Sequence, residues 1–474
     1  MKKVMRNGIL LCLLFAACDK ENFVEDVYNK TETQINKLVV VNNINAEEDY
    51  ESSLISIDHP LSSDIWLGLD IAFNGAVNFI DDIGVETILL SPSFARWPLN
   101  QTKNLPTLKL KKLGNWTITD YFDNINMGMG GRSVIPIENH SFLYVDTGPE
   151  ISDLHWTDWP MNHLWINKTV NGITHWTQIS MYKSFYHSGA VGDFNHDGLF
   201  DLAAIHLTPS NNPDESRLHI YLQDTYGNFE QESIIDDVID NGAQVLVEDL
   251  DGDNVNEIVI TSEVHQGYSF LVDNSLKIFS DSDKDGFYTK LEFVPRINEW
   301  IKESIHVVDA DFIDYDNDGD KDLLALFTDL NNEAYRSFGI LNNNGDGSFI
   351  DSNLKIEWND TNSHIVGFND VDIDNDGDLD IVFNVMNLNG VGDEVFDELK
   401  NQINLQHLVW ENINNLYVKY KSELKIDIPN VKDIKWVKGV TVQDKFKFLA
   451  VQQADQLKGT FYLLEFYLNE RFFD

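Results

Sequence analysis

Four stretches of the chain repeat one arrangement of oxygen-bearing side chains: an acid or amide at positions 1, 3 and 5, a turn residue at 6 and an acid at 9. The first is Asp193, Asn195, Asp197, Gly198 and Asp201, and the second is Asp249, Asp251, Asp253, Asn254 and Glu257. The third is Asp314, Asp316, Asp318, Gly319 and Asp322, and the fourth is Asp372, Asp374, Asp376, Gly377 and Asp380. A hard cation takes six to eight oxygens at about 2.3–2.6 Å. A tight turn offering alternate side chains and a carbonyl meets that demand, so the expected chemistry is Ca2+ binding. Gly or Asn at position 6 suits a sharp turn. Without a cation the same carboxylates repel one another, which counts against plain acidic turns.

Such loops must sit between strands. The closing acid comes at position 9, earlier than in a helix-flanked loop, and apolar runs at 202–205, 258–260, 323–326 and 381–383 follow directly. A second repeat keeps phase with the first: Gly227-Asn228-Phe229, Gly286-Phe287 and Gly347-Ser348-Phe349 mark an outer turn, so each unit is a meander of about four short strands. Asp281, Asp283, Asp285, Gly286 and Glu292 satisfy the helix-flanked calcium pattern. Their phase assigns them instead to the outer hairpin, with metal binding there left open. The loops begin at 193, 249, 314 and 372, and steps of 56, 65 and 58 fit a four-stranded propeller blade. Residues 35–474 then hold about seven units. The expected fold class is all-β: a β-propeller of seven four-stranded blades with calcium loops in consecutive blades. Strand pairs without the acid spacing are expected at 79–90, 133–145 and 437–451.

Residues 314–323 and 372–381 resemble, nearly residue for residue, the loop of the FG-GAP or VCBS repeats of integrin α-type propellers. Asn343-Asn344-Gly345-Asp346-Gly347-Ser348-Phe349 is similar to the outer hairpin of that family. The resemblance covers residues from about 185 to about 420. It implies a propeller with calcium on one face and ligands met on the opposite face. It implies no single activity, since such propellers include adhesion receptors, lectins and domains of polysaccharide lyases.

Other residues are candidates for ligand contact. His187 lies six residues before Asp193, while His306 and His364 each lie eight before Asp314 and Asp372. On a regular strand these even steps turn all three the same way as the loop acids, roughly 20–26 Å from them. Either they converge on a ligand, or each caps a strand against its neighbour. Trp156 and Trp159, with His155, His163, Trp165, His175 and Trp176 nearby, form an aromatic stretch suited to stacking on sugar rings or to filling a core. His265, Tyr268, Tyr335 and Arg336 are expected in connections that open toward the ligand side. For catalysis the chain has no Gly-x-Ser-x-Gly elbow and no His-Glu-x-x-His. A lyase would need a base and a charge neutraliser, for which Tyr186, His187, His306 and Arg336 are the available set.

Composition bounds the rest. In 474 residues, 34 Lys and Arg stand against 78 Asp and Glu, a net charge of -44, which excludes a nucleic-acid binder that works by neutralising phosphates. A hydrophobic share of 43% still supplies a core, so the acidity does not signal disorder. Cys12 and Cys18 are the only cysteines, so no disulfide staples the body and calcium is the expected restraint on the loops. Lys2, Lys3 and Arg6, an apolar run over 9–15 and Ala16-Ala17-Cys18 read as an export signal resembling a bacterial lipobox. The expected organisation is a leader over 1–17, lipidation at Cys18, a tether over 18–34 and a propeller over 35–474. Such a protein would be anchored by lipid in the outer membrane and face the cell surface. There it would bind a glycan or protein ligand with Ca2+ as its cofactor. A polysaccharide lyase or hydrolase on the same scaffold is the alternative.

Overall fold

In a computed structural model the described residues comprise 31 strands and their adjoining turns, between residues 38 and 468. Residues 1–37, which hold the expected leader, Cys18 and the expected tether, lie outside the described residues, as do Trp156, Trp159, His265 and Tyr268. No helix occurs among the described residues, and the protein is all-β.

The acid loops fall inside antiparallel meanders, as the apolar runs after them require. Phe185–Gly192, Asp201–Leu207, Ser216–Gln223 and Phe229–Ile235 form one four-stranded sheet in sequence order. Gly242–Glu248, Glu257–Ser262, Leu276–Ser280 and Thr289–Lys290 form the next. Ile305–Ile313, Asp322–Asp329, Asn332–Asn343 and Phe349–Trp358 form a third. Ser363–Val371, Asp380–Asn387, Val409–Asn412 and Tyr417–Lys419 continue the pattern. Strands also occupy the regions that lack the acid spacing. Ile71–Ile80, Glu86–Phe94, Thr107–Leu113 and Asn115–Phe122 pair in order, and Gly131–Ile137, Ser141–Asp146, Leu164–Val170 and Ile173–Gln178 do the same. The last set joins both ends of the sequence. Ile434–Val442, Lys445–Gln453 and Thr460–Leu468 are completed by Tyr50–Asp58, which pairs with Thr460–Leu468 from Tyr50 opposite Leu468 to Asp58 opposite Thr460, and then by Leu38–Asn42. Leu276–Ser280, the strand before Asp281, pairs antiparallel with Thr289–Lys290, so a strand and not a helix enters this stretch, while residues 282–288 and 291–292 lie outside the described residues.

These strands read as unbroken apolar runs because both faces of each sheet are covered. Leu202 and Ala204 pack toward Leu143, Val145 and Leu164 of the preceding sheet, while Ala203 and Ile205 pack toward Val245, Ile258 and Ile260 of the following one. Val259 and Ile278 turn the other way, onto Val307, Leu323 and Ala325. Between the third and fourth of the acid-loop sheets the filling is aromatic: Phe338 meets Phe368 at 5.1 Å and Phe383 at 5.7 Å, both edge to face.

The first strands of successive sets touch one another in order, and Ile434–Val442 touches both Ser363–Val371 and Ile71–Ile80, so the contacts run in a closed cycle. Side chains bond these strands across the joints. Val245 N donates to Ser188 Oγ at 3.1 Å, Ala310 N donates to Gln244 Oε1 at 3.0 Å and Phe368 N donates to Asp309 Oδ2 at 3.0 Å. Gly367 is needed at the last joint, because a Cβ there would lie 2.7 Å from Asp309 Oδ2.

Every first strand also carries a β-bulge at the same level. The extra residue is Asn74 in Ile71–Ile80, Arg132 in Gly131–Ile137, His187 in Phe185–Gly192, Val308 in Ile305–Ile313, Val366 in Ser363–Val371 and Lys435 in Ile434–Val442. In Gly242–Glu248 the shift falls between Gly242 and Val245. This corrects the even-step argument for the histidines, which assumed regular strands. His187 is itself the bulge residue, whereas His306 and His364 lie two residues before theirs, opposite Thr328 and Met386. The three are not equivalent. Tyr335 and Arg336 are also placed differently from expectation: they belong to the strand Asn332–Asn343, with Arg336 opposite Thr328 and Trp358, and not to a connection.

Asp311 and Asp370 sit on two neighbouring first strands. Asp311 keeps open surface but is closely ringed by protein, and its carboxyl is held above the usual range first by loss of bulk water and then by the charge of Asp370. At low pH folded and unfolded chains both carry the proton. As pH rises past the ordinary Asp range the unfolded chain ionises first and stability is lost until the folded carboxyl also ionises. Asp311→Asn should therefore melt with the parent protein near about pH 4 and slightly above it near about pH 8, the gain being small because solvent screens an exposed carboxylate. Thermal scans by circular dichroism at the two pH values check this, and a constant difference would contradict it.

Candidate metal centre

Each acid loop begins where a first strand ends, and its position-9 acid is the first residue of the second strand. That acid is buried in all four units. Asp201 Oδ2 accepts from Phe194 N at 2.8 Å and its Oδ1 from Gln223 N at 2.8 Å. Asp322 repeats the pattern with Tyr315 N and Asn343 N, both at 2.8 Å. Asp380 Oδ1 accepts from Asn412 N at 2.8 Å, and Glu257 Oε2 from Leu250 N at 2.8 Å. One carboxylate thus ties the start of the loop to the second strand at Asp201, Glu257 and Asp322, and the end of the third strand to the second at Asp201, Asp322 and Asp380. Each carboxylate oxygen has two lone pairs, so these bonds leave room for a cation.

The position-1 acid organises the turn. Asp193 accepts from Asp197 N at 3.1 Å and Gly198 N at 2.9 Å, and Asp249 from Gly252 N and Asn254 N, both at 2.9 Å. Gly198, Asn254 and Gly319 at position 6 have φ of 83°, 64° and 102°. Position 4 is left-handed too, with φ of 60° at His196 and 73° at Gly252. The sequence carried that signal unread: position 4 is His, Gly, Asn and Asn in the four loops, residue types that tolerate this conformation.

Two loops gather their acids most closely. Carboxylate oxygens of Asp249, Asp251 and Glu257 lie within 4.8 Å of one another, and so do those of Asp314, Asp316 and Asp322. Several of these oxygens are buried without a hydrogen-bond partner: Glu257 Oε1, Asp314 Oδ1 and Asp316 Oδ1. A buried oxygen left in this way costs about 1–3 kcal/mol or more when charged. Burial is the largest cause that pushes Asp201 up to about 6, Glu257 to about 7 and Asp322 to about 6, and neighbouring acids add to it. A divalent cation fits this donor set, which is all oxygen, densely charged and already turned inward. In the first loop Asn195 replaces one acid, and in the fourth Asp374 and Asp376 lie outside the described residues.

The first of the non-acidic sheets solves the same problem with a cation of its own. Asp81 occupies the turn between Ile71–Ile80 and Glu86–Phe94, where the other sheets place position 1. It accepts from Val85 N at 2.8 Å, from Ile83 N at 3.1 Å and from the ammonium of Lys111 on the third strand. Burial works to raise its pKa, but the Lys111 bond and the two N–H groups outweigh it and the carboxyl ends below its ordinary value. Nothing in the spacing of the sequence marks Asp81 and Lys111 as partners.

Of the ligand-side candidates on strands, His187, His306, His364 and Arg336 have side chains outside the described residues. Tyr186 is wholly buried, with its hydroxyl 3.1 Å from that of Tyr221, which removes it from any catalytic set. Trp165 and Trp176 are half-buried on the outer strands of their sheet, with Tyr144 edge to face against Trp176 at 5.5 Å.

No protein-family model matches the chain and no curated protein matches it. Among solved structures the chain is similar to a protein from Lactobacillus plantarum solved by the Northeast Structural Genomics Consortium, with 8% identity and a TM-score of 0.44 over 85% of this chain and 98% of that one. It is also similar to the Dos1 propeller, with 9% identity and a TM-score of 0.43 over 86% of this chain and 93% of that one.

Lys111→Met should lower the melting temperature sharply, because it leaves the Asp81 carboxylate buried and uncompensated, a loss of about 3–5 kcal/mol. Adding Asp81→Asn should recover most of it. A double-mutant cycle by chemical denaturation measures this, and additive losses would contradict the pairing.

Proposed function

We propose that the chain forms a seven-bladed β-propeller, stabilised by calcium in its acid loops, that is exported, anchored by lipid at Cys18 and acts as a glycan-binding module at the cell surface. The observation that carries the metal assignment is the pair of clusters at Asp249, Asp251, Glu257 and Asp314, Asp316, Asp322, whose carboxylates converge and include the buried, unpartnered oxygens Glu257 Oε1, Asp314 Oδ1 and Asp316 Oδ1. Asp249, Asp251, Asp253 and Glu257 would hold one ion, Asp314, Asp316, Asp318 and Asp322 a second, and Asp193, Asn195, Asp197 and Asp201 a third. The likeness of residues 314–323 and 372–381 to FG-GAP and VCBS loops supports calcium as the ion, and Asp372, Asp374, Asp376 and Asp380 complete the series. Bound there, the cation would supply the positive charge that Lys111 supplies to Asp81.

The closed cycle of first strands and the meanders radiating from it support the blade count. Binding is favoured over polysaccharide cleavage because Tyr186, a member of the one catalytic set read from the sequence, is sealed in the core.

Calcium removal tests the scaffold. A chelator should lower the melting temperature by ten degrees or so, because an ion that binds only the folded chain contributes about 4 kcal/mol at a thousandfold excess over its Kd. Readdition of calcium should restore it, and an unchanged melt would overturn the metal assignment. Electrophoresis of the soluble chain through polysaccharide-containing gels tests the function: retardation with the polymer intact supports binding, and shortened polymer would replace it with an enzyme.

A further inference from the structure

Three of the acid loops reach into the next sheet through their second residue, which lies between the acids at positions 1 and 3. Phe194 is buried in the filling shared with Val245 and Ile258, Leu250 in that shared with Leu341 and Phe349, and Tyr315 stacks on Tyr417 with ring centroids 5.8 Å apart. Tyr417 in turn donates its hydroxyl to Leu379 O of the fourth loop at 3.1 Å. The joint between the second and third loops is the most polar. Leu250 N donates to Glu257 Oε2 at 2.8 Å, while Leu250 O accepts from Asn343 Nδ2 at 2.7 Å and from Gly347 N at 3.1 Å. Asn343 N donates to Asp322 Oδ1 at 2.8 Å, its Nδ2 also reaches Lys321 O at 3.2 Å, and its Oδ1 accepts from Gly345 N at 3.1 Å. Leu250 and Asn343 therefore join the position-9 acid of the second loop to that of the third. Each end belongs to a candidate ion site: Glu257 is 2% exposed with Oε1 unpartnered, and Asp322 shares its cluster with the unpartnered Asp314 Oδ1 and Asp316 Oδ1.

We infer, on the reading that these loops hold calcium, that the second and third loops bind their cations cooperatively and that Asn343 is the positioning residue that couples them. Asp249, Asp251 and Glu257, once gathered around an ion, fix the Leu250 peptide, and its carbonyl then holds Asn343 and with it the N–H that Asp322 accepts. The third loop is thereby ordered in advance, so less conformational freedom remains to be given up when it binds. Coupling through such a contiguous network runs equally in both directions, and coupling between sites is typically about 5–150-fold in affinity.

Terbium tests this in the metal-stripped protein. Tb3+ takes oxygen ligands as Ca2+ does and luminesces when a neighbouring tyrosine is excited; Tyr315 supplies one in the third loop, whereas the second loop holds neither Tyr nor Trp. The part of the signal that Asp316→Asn abolishes reports the third loop. Asp251→Asn, at an exposed position of the second loop, should raise the Tb3+ concentration at the third-loop midpoint about fivefold or more. Asn343→Ala keeps the N–H that Asp322 accepts and removes the amide that holds Leu250, so in that background Asp251→Asn should leave the midpoint where Asn343→Ala alone puts it. An unchanged midpoint for Asp251→Asn in the otherwise native chain overturns the coupling and leaves the calcium reading standing, and this arm does not need an Asn343 variant to fold. A shift that persists in the Asn343→Ala background overturns the role of Asn343. No Tb3+ luminescence, together with no heat on titration with calcium, overturns the calcium reading and the coupling with it.

Discussion

The buried carboxylate at the head of each second strand is the contact on which the acid-loop sheets depend. Asp201 and Asp322 accept one N–H from the loop entrance and one from the end of the third strand, so a single side chain fixes three segments. A carboxylate is one of the few groups able to do this, since it accepts in several directions and donates in none. The cost is a charge held away from water beside other acids. A divalent cation would offset that cost in the proposed sites, as Lys111 does at Asp81. Chains that must close many turns without disulfides need such compensation, because every ordered loop residue gives up conformational freedom.

The joints between sheets follow a different logic. Apolar filling such as Ile258 against Ile205 or Phe338 against Phe368 is non-directional and would allow sliding. Ser188, Gln244 and Asp309 remove that freedom by capturing a specific N–H of the next first strand. The bulges belong to the same design, for an irregular ladder releases main-chain donors for use outside the sheet.

Much of this was legible in the sequence because it is local. The acid spacing, the position-6 turn residues and the apolar run after each loop specify a hairpin within about ten residues, and Gly227 and Gly347 mark the outer turns with left-handed φ. Two kinds of information were not legible. Pairings between distant side chains, such as Asp81 with Lys111, have no spacing to detect. Bulges also shift parity without leaving a compositional trace, so the even steps from His187, His306 and His364 to their loop acids do not fix which way they face. The left-handed position 4 was legible and was passed over, since His196 does not advertise a turn as glycine does.

The pairing of Tyr50–Asp58 with Thr460–Leu468 has a consequence for how the molecule comes into being. Contacts between residues so far apart in sequence are the slowest to form, because the chain between them must first be ordered or searched. Until that pairing closes, the remaining sheets are an open arc with an unprotected strand edge at each end, the kind of surface that recruits a second chain. A chain of this architecture is therefore most vulnerable before Thr460–Leu468 has joined Tyr50–Asp58, and that one pairing ends the exposure.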